Sequence, residues 1–146
     1  MATFSRSVTV DWSGPIMEGK GVAKAGSGAF SLPVTFPSRI GEPAGTTSPE
    51  ELMAASHAAC YAMALNGTLG RKGGSAARTV ITATVTADKG ESGITLKSSK
   101  LQIVAEGLKG MDEAGFKEAV QTADKGCPIS NALRAALTIE HAIEVK

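Results

Sequence analysis

The chain has 146 residues and a mass of 14.8 kDa, enough for one domain with one real core, and we expect residues 1–146 to form that single domain. Fifteen Lys and Arg stand against fourteen Asp and Glu, for a formal charge of +1, and the aromatic residues are one Trp, one Tyr and four Phe. With no run of positive charge and so few rings, neither a basic stripe for a duplex nor a stacking surface for single strands is supported, so nucleic acid is not an expected partner.

Residues 4–12 set Phe4, Val8, Val10 and Trp12 on one side of a period-two pattern, which predicts a half-buried strand. Glycine-punctuated segments around 20–24 and 29–36 continue a meander, with turns near Gly26–Gly28. Residues 37–48 read as loop by composition. A helix then starts at Ser48, a good N-cap, followed by Pro49 at the first helical position and by Glu51 to complete a capping box. It should run to about Leu69, before Gly70. Its middle is small or apolar on every face, which predicts burial all round. Ala54, Ala55, Ala58, Ala59 and Ala62 leave room for a second backbone.

Residues 79–88 alternate, with Ile81, Ala83, Val85 and Ala87 on one face. The strand at 94–106 changes parity across Ser98-Ser99-Lys100, where a bulge is expected. Residues 112–125 repeat Phe116, Ala119, Val120 and Ala123 at helical spacing. Gly126 ends that helix, and a short second one, opened by Pro128, reaches about Ala135. The final strand, 137–145, places Leu137, Ile139, His141, Ile143 and Val145 on one face. The order βββ-α-ββ-αα-β defines an α+β domain. No apolar run is long enough for a membrane span: the longest, near 52–65, is interrupted by Ser56 and His57. Met1–Arg6 carries no apolar core or cleavage site of a secretory signal, so the cytoplasm is the expected compartment.

There, two thiols normally stay reduced, and a disulfide is more often transient and catalytic than structural. The two cysteines, Cys60 and Cys127, are too far apart for a CxxC motif and lack the spacing of a four-ligand metal site. Either they are unrelated buried thiols or the fold joins them as a redox pair. Local physics favours Cys127 as the reactive one. It is the N-cap of the helix opened by Pro128, where free N–H groups and the helix dipole favour a thiolate. Cys60 lies mid-helix among alanines, where burial would raise its pKa, and it needs a cation from elsewhere. His57, one turn earlier, is either a base for it or a hydrogen-bonded core residue. A thiolate–histidine metal site built on Cys60 and His57 has too few ligands from one chain. Glu51 is accounted for by the capping box. Glu50 suits the helix dipole but has no local partner, and Arg39 sits in the preceding loop. His141 is expected in the core, and Gly73-Gly74 matches no phosphate loop.

Thr47-Ser48-Pro49-Glu50-Glu51-Leu52 with Ala54-Ala55-Ser56-His57-Ala58-Ala59-Cys60 resembles the signature helix of the OsmC/Ohr family. Gly126-Cys127-Pro128-Ile129-Ser130 resembles its second cysteine motif. Phe36-Pro37-Ser38-Arg39, together with Trp12-Ser13-Gly14 and Gly19-Lys20-Gly21, is similar to the osmotically inducible (OsmC) branch. The resemblance implies an OsmC-like fold, antiparallel sheets wrapped around long central helices in an intertwined homodimer. It also implies a thiol peroxidase that prefers organic hydroperoxides to hydrogen peroxide and needs no bound cofactor. By position, Cys60 would be the peroxidatic thiol, Cys127 the resolving thiol, Arg39 the thiolate's cation and Glu50 the group that orients Arg39. This reverses the local ranking of the cysteines. An external dithiol, of lipoyl type, is the implied reductant. The rival is a redox-sensing or small-molecule binding module on the same fold. Glu50 and Cys60 are separated by about 15 Å of rise on a straight helix, so Arg39 and Glu50 are expected to serve the Cys60 of a second subunit. An apolar pocket for the peroxide's tail is expected to involve Met53, Met63 and Phe36.

Overall fold

A computed structural model describes residues 1–146. In chain order it contains β1 (Val8–Ser13), β2 (Lys20–Ala25), β3 (Ser31–Val34), α1 (Phe36–Ile40), α2 (Pro49–Arg71), β4 (Ser75–Gly90), β5 (Gly93–Lys109), α3 (Glu113–Gly126), α4 (Pro128–Arg134) and β6 (Thr138–Val145). The fold is α+β, as expected, with one more helix than the sequence pattern gave. Residues 37–48 were expected to be loop throughout, but α1 occupies Phe36–Ile40. Thr35 caps it by accepting a hydrogen bond from the Ser38 N–H at 3.3 Å, and Pro37 sits in the first turn, where a missing N–H costs nothing. No helix is long and apolar enough to cross a membrane. The chain forms two compact units, Met1–Leu52 and Met53–Lys146.

In the first unit β1, β2 and β3 form an antiparallel meander, with Val8 opposite Ala25 and Gly21 opposite Val34. A Cβ at Gly21 would lie 2.8 Å from the Trp12 ring, so this strand position needs glycine for the close approach of its neighbour. The β1 expectation needs correcting. The strand begins at Val8 rather than at residue 4, and all six of its residues are exposed. The apolar side marked by the alternation does not meet a packed layer, because Val10 and Trp12 border an open cavity.

In the second unit β4 and β5 form a long antiparallel hairpin, but β6 adds to β5 in parallel, so this sheet is mixed and not antiparallel throughout as the resemblance implied. The expected bulge is present but falls just before the Ser98-Ser99-Lys100 stretch. Thr86 pairs with Ser98 and Ala87 with Leu96, leaving Lys97 as the extra residue. The core joins Tyr61, Leu65 and Leu69 of α2 with Leu101, Ile103 and Ala105 of β5 and with Phe116, Ala119, Val120 and Ala123 of α3. The α3 pattern is the one read from the sequence. Its N-cap is Asp112, whose carboxylate accepts from the Gly115 N–H at 2.8 Å.

Burial of α2 on every face is not observed in the chain. Only the stripe His57, Tyr61, Leu65, Thr68 and Leu69 is buried, while Ala55 and Ala59 are exposed and Met63 is 74% exposed. A sheet covers a single face of a helix, and composition does not say which face that is. The helix runs one residue past Gly70 and closes where the Gly74 N–H bonds to the Leu69 carbonyl.

Candidate active site

Cys127 ends α3 and caps α4. Its extended backbone (φ −83°, ψ 112°) leaves the helical path, and its sulfur accepts from the Ser130 N–H at 3.4 Å. Pro128 then starts α4 without a spare donor. This geometry holds a fully buried Sγ 3.3 Å from the Sγ of half-buried Cys60. Both thiols are free, and little motion separates them from a disulfide bond of about 2.05 Å. Of the two options left by the sequence, the fold therefore joins the cysteines. Burial pushes the Cys60 thiol above its ordinary pKa. The Ile129 backbone amide works against that shift, and Cys127 adds to it.

Arg39, in α1, and Glu50, in the first turn of α2, make the second pair. Nε donates to Oε1 at 3.2 Å and to Oε2 at 3.1 Å, while Nη2 donates to Oε1 at 2.6 Å. This fork-on-carboxylate geometry is the strongest form of the contact. Arg39 is thus not the freely solvated side chain its loop position indicates. Its hydrogen bonds hold the Glu50 carboxyl below the usual range, against a smaller opposing effect of burial. A carboxyl with a depressed folded-state pKa stabilises the fold at pH above its unfolded value. That stabilisation should vanish as pH falls from about 4.5 through the lower folded-state pKa. In thermal melts, Glu50→Gln should remove part of the wild-type loss of Tm over this acid range. An unchanged acid limb would mean that the pair carries no folding linkage.

Glu51 completes the cap in a modified form. Its N–H bonds to Ser48 Oγ at 3.1 Å, but its carboxylate accepts from the Thr47 hydroxyl at 3.0 Å instead of reaching back to the Ser48 amide.

The first unit also contains a cavity of about 270 Å³, walled by Val10, Trp12, Ile16, Phe36 and Leu52, with Arg39 among its lining groups. Of the three side chains expected at an apolar pocket, only Phe36 is there. Met53 does not line it, and Met63 is exposed. Helix periodicity marked those methionines as apolar but could not assign them to a wall.

His57 is fully buried, and both ring nitrogens are engaged: Nδ1 lies 2.7 Å from Ser99 Oγ and Nε2 2.9 Å from Ser130 Oγ. It has no hydrogen bond to Cys60, and its two ring nitrogens are held in the core by Ser99 and Ser130. No group of three or more His, Cys, Asp or Glu side chains is arranged to hold a metal ion. Sequence reasoning missed Ser99 and Ser130, and also Asp124. The Asp124 carboxylate accepts from Arg134 Nη2 at 2.6 Å, tying α3 to α4, while its Oδ1 lies 3.3 Å from His141 Nε2 of β6 without a hydrogen bond. The one available signal was Ser130, three residues after the N-cap cysteine, where a cap finds its donor.

The α+β chain thus brings two free thiols into contact at a helix junction, the geometry that dithiol–disulfide exchange requires. The OsmC-like protein family model matches residues 41–142, and the chain belongs to that family. It is 34% identical over 144 residues to the Peroxiredoxin OsmC of Escherichia coli (strain K12), covering 97% of this chain and 99% of that protein. Among solved structures, OhrB of Bacillus subtilis, an organic hydroperoxide resistance protein, superposes with a TM-score of 0.74 at 27% identity, covering 99% and 100% of the two chains. An organic hydroperoxide resistance protein of Legionella pneumophila shares the fold, with a TM-score of 0.77 at 24% identity and coverage of 100% and 99%.

Proposed function

We propose that the chain is a cysteine-based peroxidase that reduces organic hydroperoxides to alcohols. Cys60 acts as nucleophile, and Cys127 as resolving thiol. The observation that carries this reading is the 3.3 Å contact between the free thiols, and the similarity to a peroxiredoxin supports it. The Cys60 thiolate attacks the distal peroxide oxygen, so an S–O bond forms as the O–O bond breaks. The sulfur is oxidised to a sulfenic acid, and the alkoxide leaves as alcohol with the proton that the thiol gave up. The Cys127 sulfur then displaces the sulfenic oxygen, which departs as water with the Cys127 proton, leaving the Cys60–Cys127 disulfide. An external dithiol of lipoyl type reopens it by exchange.

Arg39 provides the positive charge that offsets the burial penalty on the Cys60 thiolate, and Glu50 orients it. Nε and Nη2 are used on Glu50, whereas Nη1 makes no hydrogen bond within the chain and remains a donor for the sulfur or the peroxide oxygen. The apolar cavity that Arg39 lines suits an alkyl or aryl tail.

Helix α2 is unbroken from Pro49 to Arg71, so about 15 Å of rise separates Glu50 from Cys60. Arg39 and Glu50 therefore serve Cys60 of the partner subunit in a homodimer. The exposed apolar side chains Val8, Val10, Ile16, Met17 and Met63 support such an interface. Residues 1–146 act as one OsmC-like domain, since the curated relatives match it nearly end to end. A cycle whose resting state is the dithiol suits a reducing compartment such as the cytoplasm.

Steady-state assays with dihydrolipoamide test the reading. Turnover of tert-butyl or cumene hydroperoxide should exceed that of hydrogen peroxide. Stoichiometric thiol consumption without turnover would instead support a redox-sensing or binding module.

A further inference from the structure

His57 is fully buried between three elements and touches neither the cavity nor Cys60 through a hydrogen bond. From α2 it reaches Ser99 on β5 with one nitrogen and Ser130 on α4 with the other. Ser130 has a double role: its hydroxyl meets His57 while its backbone N–H holds the Cys127 sulfur at 3.4 Å. Cys60 sits one turn beyond His57 on the same helix. The two sulfurs are thus linked by a short rigid path, from Cys60 along one turn of α2, across His57 to Ser130, and through its amide to Cys127.

We propose that His57 is a positioning residue for disulfide closure, fixing the first turn of α4 so that the Cys127 sulfur stays aligned with Cys60. The inference rests on the roles given to the two cysteines above. In this step the Cys127 S–H bond and the Cys60 S–O bond break, the S–S bond forms, and water leaves.

Alignment governs the rate of such a step, and a misplacement of about 1 Å can cost on the order of 10²-fold. A neutral imidazole is matched to the task, since it carries one donor and one acceptor and a serine hydroxyl can answer either. Burial keeps His57 neutral by lowering its pKa. The adjacent Asp124 carboxylate works against that shift, while His141 and Arg134 reinforce it. Peroxide attack on Cys60 forms no bond to Cys127, which bears on that step only through the Cys60 pKa, so the inference weighs more heavily on closure than on attack.

The test compares His57→Leu, His57→Gln, His57→Asn and Ser130→Ala by two readouts. The first is single-turnover kinetics with cumene hydroperoxide, following alcohol release and disulfide closure separately. The second needs no peroxide: the equilibrium of the Cys60–Cys127 pair against reduced and oxidised dithiothreitol. In His57→Leu and Ser130→Ala, closure should slow by about tenfold or more, while alcohol release, which feels α4 only through the Ile129 amide and Cys127, should fall clearly less. The pair's effective molarity should fall with it. His57→Gln, whose amide reaches the Nε2 position, should recover most of the loss, and His57→Asn, which reaches only the Nδ1 position, should not. Unchanged closure would overturn the inference, as would a parallel fall in both half-reactions or equal behaviour of Gln and Asn. If His57→Leu does not fold, Ser130→Ala decides by the same criteria. If wild type closes the disulfide with oxidised dithiothreitol yet does not reduce hydroperoxide, the peroxidase reading fails and the dithiothreitol equilibrium alone decides this one.

Discussion

Cys60→Ser should abolish hydroperoxide turnover, a loss of about 10³-fold or more, because a serine hydroxyl at neutral pH is a far weaker nucleophile than a thiolate. Fold and stability should change little, since oxygen replaces sulfur at a half-buried position without altering the helix. Cys127→Ser should behave differently. The first equivalent of hydroperoxide is still reduced, but the sulfenic acid then has no internal thiol to meet. It should persist long enough to be trapped, and excess peroxide should carry it on to sulfinic acid. The comparison matters because local physics pointed the other way: Cys127 has the helix N-cap, and burial raises the pKa of Cys60. Loss of the first equivalent in Cys127→Ser, with Cys60→Ser still reactive, would exchange the two roles.

Arg39→Ala carries the second large effect, a fall of roughly 10²-fold in kcat/KM, the scale of removing one donor that stabilises charge developing in the transition state. It should also move the pH–rate profile to higher pH. Without the guanidinium, burial and Cys127 both keep the Cys60 thiol up, and only the Ile129 amide opposes them. Glu50→Gln keeps the shape of the partner but removes its charge, so its effect should be smaller and of the same kind. A heterodimer of one Cys60→Ala chain and one Arg39→Ala chain asks which subunit provides the arginine. If Arg39 acts across the interface, one of the two sites is intact and about half the activity survives. A fall to the residual activity of Arg39→Ala would place Arg39 and Cys60 in the same chain.

Local signals foretold local structure well. Ser48, Pro49 and Glu51 marked the start of α2, the four-residue spacing of Phe116 and Val120 marked the buried face of α3, and the parity change across Ser98-Ser99-Lys100 marked the bulge to within a residue of Lys97. Helix α1 escaped notice because a five-residue helix has no apolar period, only Thr35 and Pro37 to announce it. Burial was harder to read. The middle of α2 lacks a polar face, but nothing local says that its 57–61–65 stripe meets the core while Met63 faces solvent.

The site shows the same division. That Cys127 would cap α4 was visible from Pro128 alone. That its sulfur would meet Cys60 was not, because 67 residues separate the two. The Arg39–Glu50 pair was legible only through family resemblance. The partners of His57 lie 42 and 73 residues away along the chain, at separations that periodicity and spacing do not address.

The most direct test adds one equivalent of cumene hydroperoxide to the fully reduced protein without reductant, then measures cumyl alcohol and maps the thiols by peptide mass spectrometry. The account predicts one alcohol per disulfide and a peptide pair joined through Cys60 and Cys127. Unconsumed hydroperoxide with both thiols still free would contradict it.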